Sequence, residues 1–120
     1  MKPQTISLTF DHDGEQVSEQ ITIRFNMAVE IAYEKIAGKP FSAEALNTME
    51  GTVALYYAAI IANNPKTEIT MEDLMLQATA KQIADLRDAV LTSFEQWATI
   101  PDIAQEEMPG KGDEGNNSPN

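Results

Sequence analysis

The chain opens with two runs in which apolar and polar residues alternate. In residues 5–10, TISLTF, one face holds Ile6, Leu8 and Phe10 and the other Thr5, Ser7 and Thr9. In residues 17–25, VSEQITIRF, Val17, Ile21, Ile23 and Phe25 fall in phase. A period of two marks a half-buried strand. Between the runs Asp13-Gly14 supplies the positive-φ step of a tight turn, so the spacing predicts a β-hairpin. A lone hairpin is marginal in water, and its apolar face needs helices to cover it.

From Asn26 onward the period becomes helical. Asn26 is a natural N-cap for a helix over Met27–Ala37, with Val29, Ala32, Tyr33 and Ile36 on one face and Gly38 at its C-terminal stop. Ser42 is placed to cap a short helical piece over Ala43–Glu50. Gly51 then either breaks that piece from the next helix, with Thr52 as the new cap, or sits at a close approach. The cost of glycine inside a helix, about 1 kcal/mol, favours the break.

Thr52–Asn64, TVALYYAAIIANN, contains the longest apolar run, ten residues from Val53 to Ala62 without a charge. A bilayer span needs roughly 20 such residues. Its alanines and leucine favour helix, and the run outlasts an ordinary strand. It therefore reads as a helix buried nearly all round, the element onto which the rest packs. Asn63-Asn64-Pro65 stops it.

Two capping boxes follow. Thr70 with Asp73 starts a helix over Met71–Ala78, with Ile69 and Leu74 in the staple positions; Thr79 with Gln82 starts another over Ala80–Ala98. In the last, Ile83, Leu86, Val90, Phe94 and Trp97 form a continuous apolar stripe. The expected fold is α+β and mainly helical: an N-terminal β-hairpin packed on four to five helices. Residues 1–100 form one domain, and residues 101–120, rich in Gly, Pro, Asn and acids, form a disordered acidic C-terminal tail.

Composition narrows the function classes. The net charge of −11 argues against binding a nucleic-acid backbone, which needs clustered Lys and Arg. The acids are scattered, which suits solubility better than nucleic-acid mimicry. The chain has no cysteine and a single histidine, which excludes disulfides, thiolate sites and most nucleophile–base pairs. Asp11-His12-Asp13 lacks the ligand spacing of a calcium loop and reads as a polar turn. No Gly-rich phosphate loop follows a strand. Carboxylate-based hydrolysis has no pair to point to, so neither catalysis, nor a cofactor, nor a metal is expected. No membrane association is expected, and no signal-peptide pattern follows Met1, so the cytoplasm is the expected location.

The remaining candidates are aromatic. Tyr56 and Tyr57 point about 100° apart on a helix, so both are core or one opens onto a protein-binding groove. Phe94 and Trp97 close the last helix and either cap the core or anchor a partner. Tyr56, Tyr57, Phe94 and Trp97 are thus the expected partner-binding residues.

The stretch Ile21–Phe41, ITIRFNMAVEIAYEKIAGKPF, carries a strand ending in Arg-Phe-Asn-Met, then a helix with the pattern Ala-x-x-x-Ala-Tyr-Glu-x-x-x-Gly-Lys. LYYAAIIANNP and an Ile-Thr-x-Glu-Asp-Leu helix start come next. In this order of elements, over about residues 5–98, the chain resembles the tail assembly chaperones of long-tailed bacteriophages. The resemblance implies a phage or prophage protein that binds the tape-measure protein and tail tube subunits in the host bacterial cytoplasm, self-associates, and is absent from the mature virion. The family often makes a longer form by ribosomal frameshifting near the end of the gene, and codons for Pro109-Gly110-Lys111 could hold such a slip site. A different class fits the same residues: a small acidic adaptor or regulatory protein-binding module of a bacterial or mobile-element operon.

Overall fold

The computed structural model describes residues 3–98. The expected tail over 101–120, and the point near Pro109 where a longer form would diverge, lie outside them. The two alternating runs pair as one antiparallel hairpin, β1 (Gln4–His12) and β2 (Glu15–Ile23), in register from Gln4 opposite Ile23 to His12 opposite Glu15. Asp13 and Gly14 turn the chain, both at positive φ (54° and 89°), as a two-residue hairpin loop requires. β2 begins earlier than the alternation alone indicates, because so tight a turn brings Glu15 straight into register. It ends at Ile23 rather than Phe25, opposite Gln4 at the start of β1, and the Arg24 carbonyl beyond it turns out to the Asn63 amide.

Helix α1 (Met27–Ala37) is capped as its sequence requires. The Asn26 side chain accepts from the Val29 N–H at 3.2 Å, and Gly38 stands at φ 76° with its N–H on the Glu34 carbonyl. Val29 and Tyr33 are buried, with Ala32 and Ile36 packed beside them.

The next segment departs from expectation. The short piece is a 3-10 turn, Ala43–Asn47, and the Ser42 side chain makes no cap bond. The break falls at Thr48, not at Gly51. Thr48 is extended, its hydroxyl accepts from the Gly51 N–H at 3.0 Å, and helix α2 runs unbroken over Met49–Asn63. Thr52 bonds back to the Thr48 carbonyl at 2.8 Å instead of starting a helix. Gly51 is present for a close approach: a Cβ there would collide with the Ala45 carbonyl oxygen and stand 3.0 Å from its carbon. The cost of glycine in the first turn is offset by packing that no other residue permits.

Helix α2 is the buried centre, with Ala54, Leu55, Tyr56, Ala58, Ala59 and Ile60 all enclosed. Its end is stitched to the hairpin. The Asn63 amide donates to the Ala59 and Arg24 carbonyls, and the Asn64 amide to Ile60 and Thr22, each at 2.8 Å. Helix α3 (Met71–Leu76) carries the expected capping box but is shorter than expected, ending at Gln77. Helix α4 (Ala80–Ala98) starts on its own box: the Thr79 N–H donates to Gln82 Oε1 at 2.8 Å and the Gln82 N–H to the Thr79 hydroxyl at 3.1 Å. Leu8, Phe10, Ile21 and Ile23 from the hairpin, and Phe25 just after it, join α1, α2 and α4 in one core. The architecture is α+β and mainly helical, a two-stranded hairpin followed by four α-helices. Among the described residues, no helix is long and apolar enough to cross a membrane.

Candidate partner-binding groove

A groove of about 640 Å³ lies between the start of α2, helix α3 and the start of α4. Its walls are Met49, Val53 and Tyr56 from α2, Met71, Leu74 and Met75 from α3, and Ala78 and Ile83 beyond. Met49 and Met75 are 76 % and 57 % exposed, so apolar side chains stand open to solvent along the rim. Methionine is unbranched and polarisable and re-packs readily against varied apolar surfaces. Glu50 and Thr52 supply polar contacts at the same rim.

Helix α3 has only six residues, too few to be stable alone, so its position is set from outside. Ile69 and Leu74 anchor it in the core. Asp73 at its third position accepts from the Thr70 N–H at 2.9 Å and meets His12 Nε2 at 2.8 Å. Gln77 clasps the backbone of Asp11, accepting from its N–H at 2.7 Å and donating to its carbonyl at 2.8 Å. The groove wall is therefore tied to the hairpin tip. Burial works to raise the Asp73 pKa, but the Thr70 N–H and His12 outweigh it, and the carboxyl sits below its ordinary value. The hydrogen bond to Asp73 raises the His12 pKa against a smaller opposing effect of burial; the charges of Asp73, Glu68 and Asp13 add to the rise.

The four aromatic residues nominated by the sequence are not brought together. Tyr56 is buried and lines the groove, and burial pushes its phenol pKa up. Tyr57 is half-buried against the core, its pKa raised by burial and then by the Asp73 charge. Phe94 and Trp97 lie 6.2 Å apart in a separate aromatic cluster. There Phe25 contacts Phe94 edge-on at 5.0 Å, Trp97 at 5.2 Å and Phe41 at 5.8 Å, and Tyr33 closes on Phe41 at 5.5 Å.

Sequence reasoning missed the methionines. Met71 and Met75 stand four apart on α3, a spacing that marks one helix face, whereas the capping pattern points only to Leu74 on that helix for packing. Asp11, His12 and Asp13 make a polar turn, with the Asp11 carboxylate accepting from the Gly14 N–H at 3.4 Å. Among the described residues, no group of three or more His, Cys, Asp or Glu is placed to hold a metal ion. Comparison with protein-family models, curated proteins and solved structures gave no match for this chain.

Proposed function

We propose that this chain is a tail assembly chaperone of a long-tailed phage or prophage. In this reading it holds an amphipathic helix of the tape-measure protein in the methionine-lined groove, acts without catalysis, and meets tail tube subunits during assembly. It works in the host cytoplasm and leaves before the virion is complete. The observation that carries the proposal is the groove, an apolar trough of about 640 Å³ with exposed Met49 and Met75 on opposite walls. Helix-in-groove recognition places apolar anchors at i, i+3 or i+4, and i+7 into such a trough. Methionine walls suit a cargo whose anchors vary along its length, because they re-pack around different side chains. The net charge of −11 keeps loaded copies from coalescing. Phe94 and Trp97 act through the core in this reading, and Tyr56 is the nominated aromatic that touches cargo.

Co-expression with overlapping tape-measure fragments, followed by affinity capture and calorimetry, tests the proposal. At least one helical fragment binds with a Kd of tens of micromolar or tighter, and Met75→Glu weakens it at least tenfold. Absence of binding by every fragment at that concentration overturns the reading.

A further inference from the structure

Tyr33 packs as a core residue and leaves its one side-chain polar atom unspent. Its ring meets Phe41 edge-on at 5.5 Å and the residue is 1 % exposed, yet among the described residues its hydroxyl has no hydrogen-bond partner. A buried phenol ordinarily finds one. The fully enclosed side-chain polar atom that lacks a partner is Gln96 Oε1 and not this oxygen, so the last exposed surface of Tyr33 lies at the hydroxyl. There Tyr33 lines two adjoining cavities between the end of α1, the 3-10 turn and the start of α2.

The larger cavity, about 330 Å³, gathers further unspent groups. The Ser42 side chain makes no cap bond, although it stands at the N-cap of the turn. Lys39 and Glu44 line this one cavity with opposite charges. Neither forms an ion pair, with the other or elsewhere, since the pairs among the described residues are His12–Asp73, Lys81–Asp85 and Arg87–Asp88. Two opposite charges that share a cavity without meeting are both satisfied by a ligand that carries both signs. The smaller cavity, about 140 Å³, shares Tyr33, Lys39, Thr48 and Gly51 with the larger and extends to Ile36, Ala37, Ala54 and Met71, with exposed Glu50 as a second carboxylate. An apolar space of about 150 Å³ holds a benzene-sized group, so this one takes a branched aliphatic side chain.

We propose that the paired cavities bind a free α-amino acid with an aliphatic side chain. Its carboxylate lies on Lys39 and Ser42, its ammonium on Glu44, the Tyr33 hydroxyl bonds the head group, and its side chain enters the smaller space. A simple carboxylate sets a like charge against Glu44, and a simple amine sets one against Lys39, so each is disfavoured. A peptide terminus carries one of the two charges and is disfavoured in the same way. The larger cavity shares no lining residue with the methionine groove, so the site does not depend on the cargo proposed there.

The test is an NMR titration of the ¹⁵N-labelled full chain with L-leucine, with leucinamide, which keeps only the positive charge, and with 4-methylpentanoate, which keeps only the negative one. Millimolar leucine is expected to shift the Lys39, Ser42 and Glu44 amides and to raise the melting temperature, as any ligand of the folded state does. Each analogue is expected to bind at least tenfold more weakly. Tyr33→Phe keeps the ring and removes a hydroxyl that bonds nothing in the free chain, so the melting curve without ligand is kept while leucine binding weakens roughly tenfold. Glu44→Gln is expected to abolish the preference for leucine over 4-methylpentanoate. No response at these amides with tens of millimolar leucine, equal affinity for either analogue, or leucine binding unchanged by Tyr33→Phe would overturn the proposal. Leucinamide binding more tightly than leucine would also overturn it, making a peptide amino terminus the occupant.

Discussion

The two ends of the helical layer are built from side chains of similar hydrophobicity and behave as opposites. At one end Phe25, Phe41, Phe94, Trp97 and Tyr33 meet at ring distances of 5.0–6.4 Å. Flat rings brought in by the hairpin, α1, the loop after it and α4 fill that end with edge-on and tilted contacts. At the other end Met49, Met71 and Met75 surround a trough that nothing in the described chain fills. Aromatic rings have few rotamers and lock a single packing, whereas methionine tolerates many. The closed end stabilises the fold, and the open end leaves apolar side chains facing solvent.

The largest effect is expected from removing Phe25, the fully buried ring that takes part in half of those contacts. Phe25→Ala leaves a cavity under Phe94, Trp97 and Phe41 and should cost about 3–5 kcal/mol in urea unfolding. Trp97 emission should shift to the red at the same time. A loss under about 1 kcal/mol, outside the usual range for a buried Phe, would mean that this end is not closed.

Gly51→Ala comes next, because it tests how closely the 3-10 turn is held against the first turn of α2. By helix propensity alone the change gains up to about 1 kcal/mol. The added methyl meets the Ala45 backbone, which cannot swing aside as a flexible side chain would. A net loss of about 1–3 kcal/mol is therefore expected by thermal or urea melting. A gain would show that the 3-10 turn moves freely against α2.

Met75→Glu separates the two ends most sharply. With the side chain 57 % exposed, stability should stay within about 0.5 kcal/mol, while fragment binding falls at least tenfold. Equal losses of stability and binding would erase the distinction between the two regions.

The smallest effect is on pH. His12 has a raised pKa, so its contribution is complete below the unfolded value of about 6.5 and is lost as pH rises through the folded value. Asp73 has a lowered pKa, so its contribution is present above about 3.9 and is lost as pH falls through the folded value. The tie between the hairpin tip and α3 is thus strongest between about pH 4 and 6.5. Amide exchange should show α3 loosening on either side of that window, with little change around Phe25 and Phe94. His12→Gln should flatten the high-pH limb.

Local signals were legible wherever a residue bonds to a near neighbour. Asn26 with Val29, Gly38 with Glu34, Thr70 with Asp73 and Thr79 with Gln82 lie within four positions of each other, and each sits where its spacing indicated. The same holds for the Asp13-Gly14 turn and for the alternation that sets Leu8, Phe10, Ile21 and Ile23 inside. Helix α3 is shorter than its pattern indicates because Gln77 leaves the helix to bond Asp11, 66 positions away. At Gly51 the close approach holds and the break favoured by helix propensity does not, because the reason for the glycine is a carbonyl on the preceding turn. The groove was not legible, since an unfilled space has no residue of its own.

By itself, then, the sequence determined which segments are strand and helix, how most are capped, and which faces are apolar. Those properties follow from hydrogen bonds and periodicities that span a few residues. Only the tertiary structure decided which apolar faces would meet. It joined Phe94 and Trp97 to Phe25, separated them from Tyr56, and left the methionines of α2 and α3 facing one another across solvent. The physical reason is that packing depends on where α3 is held, and contacts more than 60 positions apart, His12 with Asp73 and Asp11 with Gln77, hold it there.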